Sequence, residues 1–261
     1  MAISHNPIFN RSMSTGTAIA KQDLAQAEVD AQFAAITARN PMTVEGAAGK
    51  VLGLLALLVL SAVVTSYGMV QGWFGSSILV PVLGSALVGA VLMLWATFSR
   101  KVRPGVMVAY ALVEGVFIGA VSLLFELMYP GIVQNAVVAT LATAGIMFAA
   151  YRFGFIKVNA RFTRVMTFAL LGYMGFAVIN LLIGFFTGSA GIYSTPMAWL
   201  AGLVGAGLAA FSLNLDFEAI ASGARDRLPR ENEWRAAFGL TTTLVWLYIE
   251  ILRLLSIFNR D

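Results

Sequence analysis

The sequence predicts an all-α membrane protein, a bundle of seven transmembrane helices. Three observations carry that reading. Hydrophobic residues fill 59% of the 261 positions and charged residues only 11%, with a mean hydropathy of +0.82, too apolar for a water-soluble domain. Apolar runs of about 18 residues or more recur along the chain. These runs are nearly continuous, whereas barrel strands would alternate over about ten residues.

Apolar runs between charged or Gly/Pro-rich breaks predict spans near Gly46–Val70, Ile78–Phe98, Gly105–Tyr129, Val133–Tyr151, Val165–Phe186, Pro196–Ala221 and Ala236–Phe258. The breaks alternate in kind. Arg100, Lys101 and Arg103 follow the second span, Arg152, Lys157, Arg161 and Arg164 the fourth, and Arg225, Arg227, Arg230 and Arg235 the sixth. The loops 71–77, 130–132 and 187–195 carry no basic residue. By the positive-inside rule the amino terminus is cytoplasmic. The net charge of +4 is then a topology signal, and no nucleic-acid partner is expected. Short connections make consecutive helices antiparallel, and residues 46–261 form one transmembrane domain. Arg253 and Arg260 are the discordant charges, since seven spans place the carboxyl terminus outside. A re-entrant last segment would return them to the cytoplasm, but the basic 224–235 loop followed by a long apolar run favours a full span.

Residues 1–45 read as a cytoplasmic arm. Asn6-Pro7 and Asn40-Pro41 are turn signals, and Ala18–Arg39 between them is helix-prone, with Val29, Phe33 and Ile36 on one face. That stripe is too modest for a membrane-surface helix and fits a solvated helix or partly ordered tail. The arm lacks the continuous apolar core of a signal peptide, so the first span is the expected targeting element.

The absence of cysteine excludes disulfide scaffolds, thiolate metal sites and cysteine nucleophiles. The one histidine, His5, lies in the arm, which excludes His-based triads and an HExxH zinc site within the membrane. No resident cofactor is expected.

Of the acids inside predicted spans, three are candidates for function: Glu114, Asp216 and Glu250. A charge at the centre of a membrane helix costs about 2.5–3.5 kcal/mol on insertion scales, so such residues face a bundle interior, a partner or water. Asp216 has a bland alternative as an ordinary helix end near Glu218 and Arg225. Glu250 has another, an ion pair with Arg253 three residues on. Glu114 lies beside the small-xxx-small pair Gly115 and Gly119, and the sixth span carries a longer ladder, Gly202, Ala206, Ala210 and Asn214; both allow close helix approach. Glu126 reads as interfacial, and Lys50 as a lysine snorkelling to the headgroups. Two acids in one dry site do not both ionise easily, and a shared proton would join their helices where double ionisation would part them. Carboxylates also suit a hard cation such as Ca²⁺, although two or three make only a weak site. Glu250 lies 14 residues beyond Ala236, about 21 Å of helix, so it meets Asp216 only if the seventh helix begins well before the lipid.

The closing segment Leu247-Tyr-Ile-Glu-Ile-Leu-Arg-Leu-Leu255 and Ser212-Leu-Asn-Leu-Asp-Phe217 resemble the last two helices of the Bax inhibitor-1 family. Asn6-Pro-Ile-Phe-Asn-Arg11 and Asn40-Pro-Met-Thr-Val44 resemble a bacterial branch with an extended amino-terminal arm. The resemblance covers essentially the whole chain. It implies a last helix central among the other six, a location in the bacterial inner membrane, and a pH-sensitive Ca²⁺ leak whose sensor is an acid pair on helices six and seven. Asp216 matches the first sensor aspartate. Glu250 stands where the second belongs, longer by one methylene. The family's latch arginine on the second helix has no counterpart before Arg100.

The expected function is therefore a Ca²⁺ leak set by protons, with Asp216 and Glu250 as sensor and weak calcium ligands, and Glu114 and Arg253 as auxiliary groups. A proton or cation exchanger using the same acids is one alternative. A non-transporting regulator that binds other membrane proteins, such as a protease, is another. An enzyme is not expected, because a second histidine, a cysteine and a Gly-x-Gly-Asp motif are all missing.

Overall fold

The computed structural model describes residues 40–75, 79–188 and 191–259, together with Gln26, Glu28 and Val29. His5, the Asn6-Pro7 turn, most of the expected arm helix and Arg260 lie outside the described residues. Among the described residues, seven helices are long and apolar enough to cross a membrane. They are α1 (Val44–Val70), α2 (Leu79–Phe98), α3 (Pro104–Met128), α4 (Ile132–Arg152), α5 (Ala160–Thr187), α6 (Ala198–Arg225) and α7 (Asn232–Phe258).

Local chemistry sets the ends that hydropathy alone misplaces. Thr43 accepts the Gly46 N–H at 2.9 Å and starts α1. Asn159 accepts the Phe162 N–H at 2.8 Å, so α5 begins five residues before the apolar run expected from Val165. A side-chain acceptor there satisfies a backbone donor that the helix itself leaves free. Pro104 occupies the first turn of α3, where no N–H is needed. Gly131 (φ 86°) turns the chain between α3 and α4. Glu126 completes that turn by accepting the N–H groups of Gly131 and Val133 at 2.6 and 3.1 Å. Its role is thus a defined cap rather than a loose interfacial charge. A short 3₁₀ turn, Gly191–Ser194, sits between α5 and α6.

The last helix is one continuous 27-residue element, about 40 Å long, which is ample to cross a hydrocarbon core of roughly 30 Å. A re-entrant final segment is not what forms. Backbone packing joins α7 to α6, α1, α4 and α3, while α2 packs on α3 and α5 on α6 and the 3₁₀ turn. Four helices thus flank α7 directly, and α2 and α5 stand outside them. Along most of α5 the apolar side chains point outward, with Met166 its one buried residue, as expected for a helix solvated by lipid.

Glycine decides the closest crossing. A Cβ on Gly119 would lie 2.9 Å from Ala62 Cα of α1, and one on Gly115 would lie 2.6 Å from Ser61 Cβ. Across this contact Ser61 Oγ donates to Leu112 O at 2.7 Å and Ser66 Oγ to Gly119 O at 2.9 Å. The small-xxx-small pair therefore binds α3 to α1, with hydroxyls satisfying carbonyls where the backbones nearly touch.

Candidate functional site

Glu250 projects from α7 and is 3% exposed. Arg253 Nη1 donates to its two oxygens at 3.2 and 3.1 Å, and Trp246 Nε1 donates at 3.1 Å. Tyr173 reaches in from α5 and donates its hydroxyl at 2.7 Å. Gly205 of α6 makes room, since a Cβ there would meet Glu250 Oε2 at 2.7 Å. Arg253 in turn lies 4.5 Å from the Tyr193 ring centre and donates to the Tyr193 hydroxyl at 3.1 Å. Two of the donors, Trp246 and Arg253, stand four residues before and three after the acid, the helical spacing that brings side chains together. A buried carboxylate supplied with a guanidinium and two further donors is compensated on the spot.

Asp216 has a different environment. It faces α7 at Gly239, where a Cβ would lie 3.3 Å from its Oδ1, and it interacts with the Thr243 hydroxyl. Its Oδ2 is buried without a hydrogen-bond partner. None of the ion pairs among the described residues includes Asp216. The neighbouring charges bind each other instead: Arg225 donates to Glu218 at 2.7 Å and Tyr151 of α4 donates to Glu218 at 2.6 Å. Asp216 is thus not part of the charged helix end that follows it.

The two acids do not meet. Gly239, Thr243, Trp246 and Glu250 form one stripe along α7, and Asp216 adjoins its first half. From Thr243 to Glu250 is seven residues, about 10 Å of helix axis. On α6, Gly205 beside Glu250 and Asp216 are eleven residues apart, about 16 Å. The indole of Trp246 occupies the stripe between them and packs on Tyr173, with ring centres 5.6 Å apart and planes tilted by 41°. The expected carboxylate pair is thus not in direct contact. Their side chains face one side of α7 at different depths, and the local partner Arg253 occupies Glu250. Among the described residues, no group of three or more His, Asp or Glu side chains is placed to hold a metal ion.

Glu114 of α3 belongs to another face. It lies against α2, with its Oε2 3.3 Å from where a Gly89 Cβ would be, and interacts with Tyr110. Tyr110 also interacts with Thr242 of α7 and packs edge-on to Phe238 at 5.0 Å.

The sequence model of the family described as Bax inhibitor 1 like matches residues 6–260. The chain belongs to this Bax inhibitor 1-like family. No curated protein matches it. Family membership and the seven apolar helices together make it an integral membrane protein. In this Bax inhibitor 1-like chain Glu250 is bound by Arg253, whereas Asp216 joins none of the ion pairs among the described residues.

One more buried acid gives no signal in the sequence. Glu233, in the first turn of α7, is fully buried. It accepts the Thr43 N–H at 2.9 Å and the Thr43 hydroxyl at 3.1 Å, and it forms an ion pair with Lys50 of α1. Arg230 Nε approaches to 3.7 Å. Lys50 is therefore not a free snorkelling lysine, and its ammonium also lies 5.6 Å from the Trp234 ring centre. Glu233 lies before the expected start of the last span at Ala236, where hydropathy gives no sign of a buried charge. Tyr173 was overlooked as well, because a tyrosine in an apolar run gives no sign of an acid 77 positions away.

Proposed function

We propose that this chain is a pH-sensitive, low-conductance Ca²⁺ leak in which Asp216 is the titrating gate and cation-attracting group. The observation that carries the reading is the half-buried Asp216, which faces Gly239 and Thr243 with its Oδ2 enclosed and unpartnered and which joins none of the ion pairs among the described residues. When neutral, Asp216 leaves α6 and α7 in close contact. When ionised, it puts an uncompensated charge into that contact, which favours hydration or separation and draws in a hard cation. Glu250 acts separately, as a charge held in reserve by Arg253 nearer the other end of the same stripe. Glu114 is an auxiliary polar group on the α2–α3 side. The basic loops support an orientation with the amino terminus and the Asp216 half of the bundle toward the cytoplasm, and the bacterial inner membrane is the proposed location.

Ca²⁺ flux into proteoliposomes across a pH series tests this. Flux down a Ca²⁺ gradient is expected to rise with pH and to lose that dependence in Asp216→Asn. Flux and pH dependence unchanged in both Asp216→Asn and Glu250→Gln would remove both acids from the pathway. Stoichiometric proton movement against the Ca²⁺ gradient would instead identify an exchanger.

A further inference from the structure

Residues 40–50 cross the basic end of the bundle as a strap. Arg230 N donates to Asn40 O at 3.1 Å and Met42 N to Leu228 O at 2.7 Å, which sets Pro41 opposite Pro229 as an antiparallel bridge. Met42 is 3% exposed and its sulfur lies 2.7 Å from where a Gly223 Cβ would be, so it plugs the end of α6. One residue later Thr43 gives both its donors to Glu233 of α7, and Lys50 closes on the same carboxylate. The strap is thus fastened on one side to α6 and its following loop, and on the other to α7. These are the two helices whose facing surfaces enclose Asp216, Gly239 and Thr243.

We propose that this strap is a latch over the α6–α7 seam, released when the Lys50–Glu233 ion pair breaks. Any parting of α6 from α7 at this end must detach Met42 from Gly223 or Thr43 from Glu233, because the short segment between them is bonded to both. The ion pair dominates the fastening: Glu233 is the acceptor of Thr43's two donors as well as of the lysine, so loss of its charge weakens every bond on the α7 side together. The inference rests on the reading of Asp216 as the gate only for its consequence in flux; the latch itself is read without flux.

The chain has no cysteine, so Thr243→Cys supplies a single thiol beside Asp216. Its reaction rate with a charged water-soluble maleimide is measured in lipid nanodiscs. Glu233→Gln and Lys50→Met, each added to that chain, are expected to raise the rate about tenfold, within the usual range for coupling between sites. A lock independent of the ion pair comes from Pro41→Cys with Pro229→Cys, oxidised before Thr243→Cys is labelled. These positions face each other across the bridge, and neither proline donates a backbone hydrogen bond that substitution would lose. The locked chain is expected to label more slowly and to recover on reduction. Rates unmoved by both charge substitutions and by the lock would overturn the latch. If the rates respond as expected but Ca²⁺ flux ignores Asp216→Asn, the latch stands and the gate assignment fails.

Discussion

Arg253 Nη1 lies 3.1 and 3.2 Å from the two carboxylate oxygens of Glu250, and this contact separates the behaviour of Glu250 from that of Asp216. Glu250 keeps a counter-charge on its own helix whatever α6 does. Asp216 has none, so its protonation state is felt by the α6–α7 contact directly.

That difference sets the expected pH responses. Asp216→Asn is expected to flatten the pH dependence of Ca²⁺ flux, because the amide holds one charge state throughout. Glu250→Gln is expected to keep the rise of flux with pH while lowering its amplitude. Flux assays on the two single variants over one pH series check this. A flat profile for Glu250→Gln with a normal one for Asp216→Asn would reverse the assignment.

The Glu250–Arg253 pair is expected to show strong thermodynamic coupling. Removing one partner of a buried ion pair costs about 3–5 kcal/mol, whereas replacing both leaves no stranded charge. Arg253→Met is expected to approach that loss. Adding Glu250→Gln to it is expected to recover about half, since Tyr173 and Trp246 still have an amide oxygen to bond. A double-mutant cycle from denaturation in detergent measures the coupling, and additive losses would argue against the pair.

Tyr173→Phe tests how α5 is held. Its hydroxyl, 2.7 Å from Glu250, spans from an outer helix to α7, and losing a hydrogen bond to a charged group costs about 1.5–3 kcal/mol. Faster amide exchange across α5 is expected, with α1 and α3 unaffected. Uniform change across all seven helices would instead mean general destabilisation.

Gly119→Leu is expected to be far worse than Gly172→Leu. A side chain at Gly119 meets the Ala62 backbone, while nothing lies within 4 Å of a Cβ at Gly172. Overpacking against side chains costs about 1–3 kcal/mol, and here the obstacle is backbone that cannot change rotamer. Thermal unfolding of the two variants gives the comparison, and equal stability would mean that α1 and α3 separate without cost.

The number and order of the helices were legible in the sequence because hydropathy is a local property. Seven apolar runs separated by alternately basic and neutral loops admit few other arrangements. Helix ends were less legible, since α5 and α7 continue beyond their apolar runs wherever a cap or a neighbouring surface satisfies the backbone. Arg253 was visible as a partner of Glu250 through a three-residue spacing. Whether Glu250 turned to Arg253 or to Asp216 was not, because that depends on how far α6 slides along α7. Only the tertiary structure decided it, placing Gly239 and Thr243 rather than Glu250 opposite Asp216. The same holds for Lys50 and Glu233, 183 positions apart. No local pattern marks two charges that become partners only when a strap folds across the end of the bundle.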